Sequence, residues 1–295
     1  MKIWGMAPQA LTAWIISAAT AWGQPADMKT TAPTPPPTGD KLAEQVYLLH
    51  KAGFDKYLDG DFSGALADFD RAVELDPSDG NLYYNRGLAK ARLQDYKGAA
   101  QDFSTALEIS PKLYQAYYNR AYARAETGDH LGAVADYTQA LNIQPYDADA
   151  LLNRALSKVK LFDYKGAVED LTKAVSIRPD YYQAYYNRGV VKSTTVDYHG
   201  AIADYDKAIQ LEPRYFPAYM NRAVARLNLS DYQGAIEDCR EVIRLNPSGD
   251  HSEAYYYSGI AKVESKDVRG ACQDFAKAQS KGYKKAAAAL SEFCQ

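Results

Sequence analysis

Prolines at 77, 111, 145, 179, 213 and 247 stand 34 residues apart. The pair Gly-Ala keeps the same step, at 64–65, 98–99, 132–133, 166–167, 200–201 and 234–235. So do Asp68, Asp102, Asp136, Asp170, Asp204 and Asp238. A last copy, from "YYYSG" to "DVRGACQDFAKA", is displaced by two residues within "PSGDHSEA", which makes seven copies. A chain that repeats its chemistry at this interval does not gather round one central core. Each copy is one small structural unit that buries its faces against the copies beside it.

One unit reads "GNLYYNRGLAKARLQDYKGAAQDFSTALEISP", with Gly80 as position 1. Position 8 is small throughout: Gly53, Gly87, Ala121, Ala155, Gly189, Ala223 and Gly259. Position 20 is alanine in every unit, position 24 is large or soft (Phe69, Phe103, Tyr137, Leu171, Tyr205, Cys239, Phe275), and position 27 is alanine except for Val242. Positions 20, 24 and 27 recur at helical spacing and share one helix face. Positions 1–14 form a helix before it. The aspartate at position 16 stands where the second helix needs an N-cap. Glycine and alanine at the contact bring the two helices close, and a larger residue there overpacks by about 1–3 kcal/mol.

The 34-residue period, the small residue at 8, Ala at 20, the aromatic at 24, Ala at 27 and Pro at 32 together resemble the tetratricopeptide repeat family, across residues 46–285. The resemblance implies an all-α, right-handed superhelical solenoid of helix-turn-helix units at 46–79, 80–113, 114–147, 148–181, 182–215, 216–249 and 252–285, closed by a capping helix over 286–295. It also implies a concave surface lined by the first helices, with positions 2, 5, 6, 9, 12 and 13 facing that groove. The sequence departs from the family at position 7, where leucine is usual and Arg86, Arg120, Arg154, Arg188 and Arg222 stand.

Position 11 is basic in all seven units, and positions 7 and 11 lie on one side of a helix. This stripe reads either as a surface for acidic partners or as a ladder of ion pairs with the aspartate at position 23. The aspartate matches the bases unit by unit, which favours the ladder. A net charge of -3 likewise argues against a nucleic-acid surface.

The N-terminus differs from the rest. "LTAWIISAATA" at 11–21 is a short apolar run followed by small residues, with Lys2 the one charge before Asp27. Residues 1–23 read as a secretory signal peptide; the rival reading is an inner-membrane anchor over residues 3–23. Either places the folded part outside the cytoplasm, periplasmic or extracellular. Residues 24–41 are proline-rich and read as a flexible linker without a fold.

No phosphate loop, nucleophile elbow or zinc spacing appears, and the expectation is no enzyme, no cofactor and no metal. The family's clamp for acidic C-termini needs basic residues at positions 2 and 6 that the sequence lacks. Other members present an asparagine ladder at position 6. Here Asn85, Asn119, Asn153, Asn187 and Asn221 hold that position. An amide offers a donor and an acceptor to a peptide group whatever its side chain. The alternative is that these amides only steady the helix pair. Tyr84, Tyr118, Tyr186 and Tyr256 at position 5 and Tyr122 at position 9 would line the groove, or pack between units. The resemblance further implies that Cys272 and Cys294 pair as a disulfide in an oxidising compartment, while Cys239 replaces a core aromatic and stays a buried thiol. The function expected is a non-enzymatic scaffold that binds a protein or an extended peptide in its groove. The alternative is an accessory subunit of a cell-envelope assembly or enzyme complex that works through its convex face or its ends.

Overall fold

A computed structural model describes residues 31–35 and 40–294. The signal-peptide or anchor segment and most of the linker lie outside the described residues. Those described are helical or connecting, with no strand among them, and fall in two compact units, residues up to 177 and residues from 178.

The first unit holds α1 (Lys41–Leu58), α2 (Phe62–Leu75), α3 (Gly80–Arg92), α4 (Tyr96–Ile109), α5 (Tyr114–Glu126), α6 (His130–Ile143), α7 (Ala148–Lys160) and α8 (Tyr164–Ile177). The second holds α9 (Tyr182–Thr194), α10 (Tyr198–Leu211), α11 (Phe216–Asn228), α12 (Tyr232–Leu245), α13 (Ser252–Glu264), α14 (Val268–Ser280) and α15 (Lys284–Phe293). Within each unit every helix packs against the next. Odd-numbered helices up to α13 are the first helices of repeats and even-numbered ones the second.

The second helix starts where the sequence caps it. The aspartate at position 16 accepts from the backbone N–H three residues on, as in Asp61 with Gly64 at 2.8 Å and Asp231 with Gly234 at 3.0 Å. The recurrent glycine at 19 follows from this cap: a Cβ there would lie 2.0–2.3 Å from the aspartate Oδ2. At the helix contact, Gly53, Gly87, Gly189 and Gly259 face the rings of Phe69, Phe103, Tyr205 and Phe275, and a Cβ would stand 2.5–2.8 Å from the ring edge. Repeats with Leu171 or Cys239 at 24 carry alanine at 8, as does the repeat with Tyr137, so the smaller residue at 24 permits the alanine but does not alone decide it.

Position 15, between the helices, is left-handed. Gly60 and Gly128 occupy it in two repeats, but Gln94, Phe162, Val196, Ser230 and Lys266 hold it at φ of 62 to 69°. Left-handed backbone costs an L-residue about 1–2 kcal/mol, and a β-branched one is an outlier. Val196 is 60% exposed and adds little packing in return. Val196→Gly is expected to stabilise the second unit by about 0.5–1 kcal/mol, net of the glycine's extra unfolded-state entropy. A thermal unfolding midpoint equal to or below wild type would refute it.

The arginine at position 7 is paired. Nε and Nη2 of Arg86, Arg120, Arg154, Arg188 and Arg222 fork onto the carboxylates of Asp102, Asp136, Asp170, Asp204 and Asp238 at 2.5–3.0 Å. Each of those aspartates also meets the base at position 11, from Lys90–Asp102 at 2.8 Å to Arg226–Asp238 at 2.9 Å. Nη1 of Arg86, Arg120, Arg154 and Arg222 reaches back to position 25 of the preceding repeat: to Asp70, Ser104, Thr138 and Asp206, at 2.5–3.1 Å. One guanidinium thus joins its own helix to two others. Leucine at position 7 could fill space there but hold none of these groups.

Candidate functional site

The motif "YYNR" divides its work. The tyrosine at position 4 is a platform for the arginine three residues on: the guanidinium carbon sits 5.3–5.7 Å from the ring centroids of Tyr83, Tyr117, Tyr185 and Tyr219. The tyrosine at position 5 goes inward. Tyr84 and Tyr118 are fully buried, and Tyr186 and Tyr256 nearly so. Of the two readings of these four, lining a groove or packing between units, their burial fits packing. Their rings lie against the aromatic at position 24, Tyr118 on Tyr137 at 5.4 Å and Tyr84 on Phe103 at 5.8 Å. Tyr122 at position 9 remains half-buried.

Burial of the phenol explains the asparagine. Nδ2 of Asn119 donates to the Tyr84 hydroxyl at 3.1 Å, Asn153 to Tyr118 at 2.7 Å and Asn221 to Tyr186 at 2.9 Å. Position 6 of one repeat thereby satisfies position 5 of the repeat before it. Asn187 follows Leu152, which has no hydroxyl, and its Nδ2 donates to the carbonyl of Gln183 in its own helix at 2.8 Å. Asn85, Asn119, Asn153 and Asn221 are buried and Asn187 is half-buried. Four of the five position-6 amides are therefore packed, as they would be if they steady the repeats.

The acceptor half of the amide differs along the chain. Oδ1 of Asn119 and of Asn153 is enclosed and accepts nothing among the described residues. An orphaned buried acceptor costs about 1–3 kcal/mol. Asn85 is complete. Its Oδ1 accepts from the Thr31 backbone N–H at 3.0 Å and the Thr31 hydroxyl at 3.4 Å, and its Nδ2 donates to the Thr31 carbonyl at 3.0 Å. The other N–H of that amide meets Nε2 of His50 at 2.5 Å, with His50 in the place that tyrosine takes in later repeats. Burial lowers the His50 pKa, opposed by Asp79 and by a hydrogen bond to the Thr31 backbone. A neutral ring can accept the Asn85 N–H. Within the stretch read as a structureless linker, Thr31 is accordingly anchored. The sequence held no signal for this: Thr31 belongs to a proline-rich run, and its partner lies 54 residues on.

At the other end a disulfide joins Cys272 of α14 to Cys294, which follows α15. Cys239 is a free, buried thiol whose pKa burial pushes up. No group of three or more metal-ligating side chains is found among the described residues.

Family-level comparison matches residues 56–114, 114–147, 148–181, 182–215 and 216–248 to the tetratricopeptide repeat. The chain belongs to the tetratricopeptide repeat family. Among solved structures, a tetratricopeptide repeat protein from Parabacteroides merdae superposes with a TM-score of 0.62 at 23% identity, over 85% of this chain and 97% of that one. The C-terminal part of a repeat-containing protein from Cytophaga hutchinsonii gives 0.68 at 17% identity, over 81% and 98%. YrrB, described as a tetratricopeptide repeat protein with an unusual peptide-binding site, gives 0.55 at 18% identity, over 68% and 97%. At such identities the likeness shows the fold. A comparison with curated proteins finds no match. Tetratricopeptide repeats as a class mediate protein–protein interaction.

Proposed function

We propose that this tetratricopeptide repeat protein is a non-enzymatic scaffold, exported from the cytoplasm, that binds an extended polypeptide along the faces of its first helices. The observation that carries the reading is the contact between Thr31 and Asn85. One position-6 amide holds both the N–H and the carbonyl of a peptide unit, each at 3.0 Å. That recognition needs no particular side chain. Asn119 and Asn153 repeat the amide with an acceptor unfilled among the described residues, and Asn187 repeats it half-buried. Export is supported by the apolar N-terminal run and by the disulfide, which suits an oxidising compartment.

Asn187 separates binding from folding, because its amide bonds only within its own helix. Peptides selected from a random extended-peptide library on the full chain are expected to bind Asn187→Ala with a loss of about 0.5–1.5 kcal/mol, one neutral hydrogen bond, at an unchanged unfolding midpoint. Asn153→Ala is expected to lower the midpoint as well, since it strips the Tyr118 hydroxyl of its donor. If every selected peptide ignores Asn187 and is instead lost on substitution of exposed second-helix residues, the binding face is the opposite one. The reading as an accessory subunit then takes its place.

A further inference from the structure

The contact at Asn85 is made by the chain to itself. Residues 31–35 run beside a cavity of about 350 Å³ whose other walls come from α1 (Val46, Tyr47, His50) and from the α2–α3 connection and the start of α3 (Asp76, Asp79, Asn81). Three features distinguish this from incidental packing. The Thr31 peptide unit is bound from both directions by a buried amide. That amide is completed on its far side by a buried imidazole. The equivalent amides in the next two repeats keep an acceptor with no partner among the described residues.

We propose that residues 31–35 are a resident ligand, an internal peptide that holds the His50/Asn85 site in cis, and that the site takes from outside only extended Thr/Pro-rich segments able to displace it. The proposal rests on the peptide-binding reading above and adds to it the identity of the occupant. The chemistry of the segment fits the role. "TAPTP" alternates small hydroxyl or methyl residues with proline, which restricts φ and lowers the entropy lost when an extended chain docks. Proline also has no N–H to leave unsatisfied. The cavity carries the carboxylates of Asp76 and Asp79. An acidic segment would meet like charge there, so the fitting partner is neutral or basic. Thr31 is the residue that must keep its N–H, because Asn85 Oδ1 receives it.

The tether makes the competition unequal. Only residues 36–39 separate the docked stretch from the cap of α1 at Asp40. The internal segment therefore acts at a high effective concentration, and a free peptide of equal intrinsic affinity binds poorly while it is in place. Substituting Thr31 removes the competitor without touching a repeat.

The test uses a fluorescein-labelled peptide with the sequence of residues 28–40, titrated by anisotropy into the full wild-type chain and into full-length Thr31→Pro. The variant deletes both the N–H and the hydroxyl that reach Asn85, and lies outside every helix, so its unfolding midpoint is expected to match wild type. Thr31→Pro is expected to bind the peptide at least tenfold more tightly than wild type does. A labelled peptide carrying the same proline is expected to bind neither chain. Equal affinity of both chains for the wild-type peptide, or no binding to Thr31→Pro, overturns the proposal. So does a concentration-dependent dimer of wild type, absent in Thr31→Pro, in sedimentation velocity, because the occupant would then come from a second copy. These outcomes leave the effect of Asn187→Ala on library-selected peptides untouched, so the internal ligand can fail while the scaffold reading stands.

Discussion

Arg120→Ala is expected to lower the unfolding free energy of the first unit by about 3 kcal/mol or more, in the range seen when one partner of a buried ion pair is removed. Asp136 is 4% exposed and takes the Nε and Nη2 fork of Arg120 at 2.8 and 2.6 Å. After the substitution it keeps only Arg124, at 2.7 Å. Ser104 loses its donor in the same step, so α4, α5 and α6 all loosen. Arg120→Lys should recover a minor part, because an ammonium is a point charge and cannot span both carboxylate oxygens and the hydroxyl together. Urea unfolding of the three chains checks this. A loss below about 1 kcal/mol for the alanine variant would place the ladder among the weak surface pairs, and would leave position 7 unexplained.

The second large effect is expected at the other end. Replacing both Cys272 and Cys294 by serine should destabilise the α14–α15 region by about 2–4 kcal/mol, since the bond closes a loop between residues 22 apart. The loss is local, and hydrogen exchange should show it in residues 268–293 before it spreads. The same bond tests export. Protein taken from its native host without reductant, denatured and labelled with a maleimide, should react at Cys239 alone. Three reactive thiols would count against both the bond and an oxidising compartment.

The sequence makes the solenoid legible because its signals are local and repeated. The cap at position 16 acts over three residues. The small residues at 8 and 20 recur at one step, and each repeat carries its own basic and acidic partners. The cysteine pairing came only through family resemblance. The two tyrosines of "YYNR" could not be told apart by pattern, since both are aromatic and adjacent. Which one turns inward depends on the ring at position 24 and on the next repeat's amide. The left-handed backbone at Phe162 and Val196 was equally hidden, because glycine marks that turn in only two repeats. The anchored Thr31 depends on a partner 54 residues away and on a histidine standing where tyrosine is usual. Neither has a local signature.

The bonds that join one repeat to its neighbour have a consequence for the length of the chain. Position 6 meets position 5 of the preceding repeat, and position 7 meets position 25 of it. Excising residues 80–113 would set Asn119 against His50 and Arg120 against Asp70, both chemically competent substitutes for the partners removed. Duplicating the block would likewise leave matched ends. At this junction the array can be lengthened or shortened by a whole step of 34 without stranding a charge or an amide. Its reach is therefore open to change by recombination in a way that the residues within each step are not.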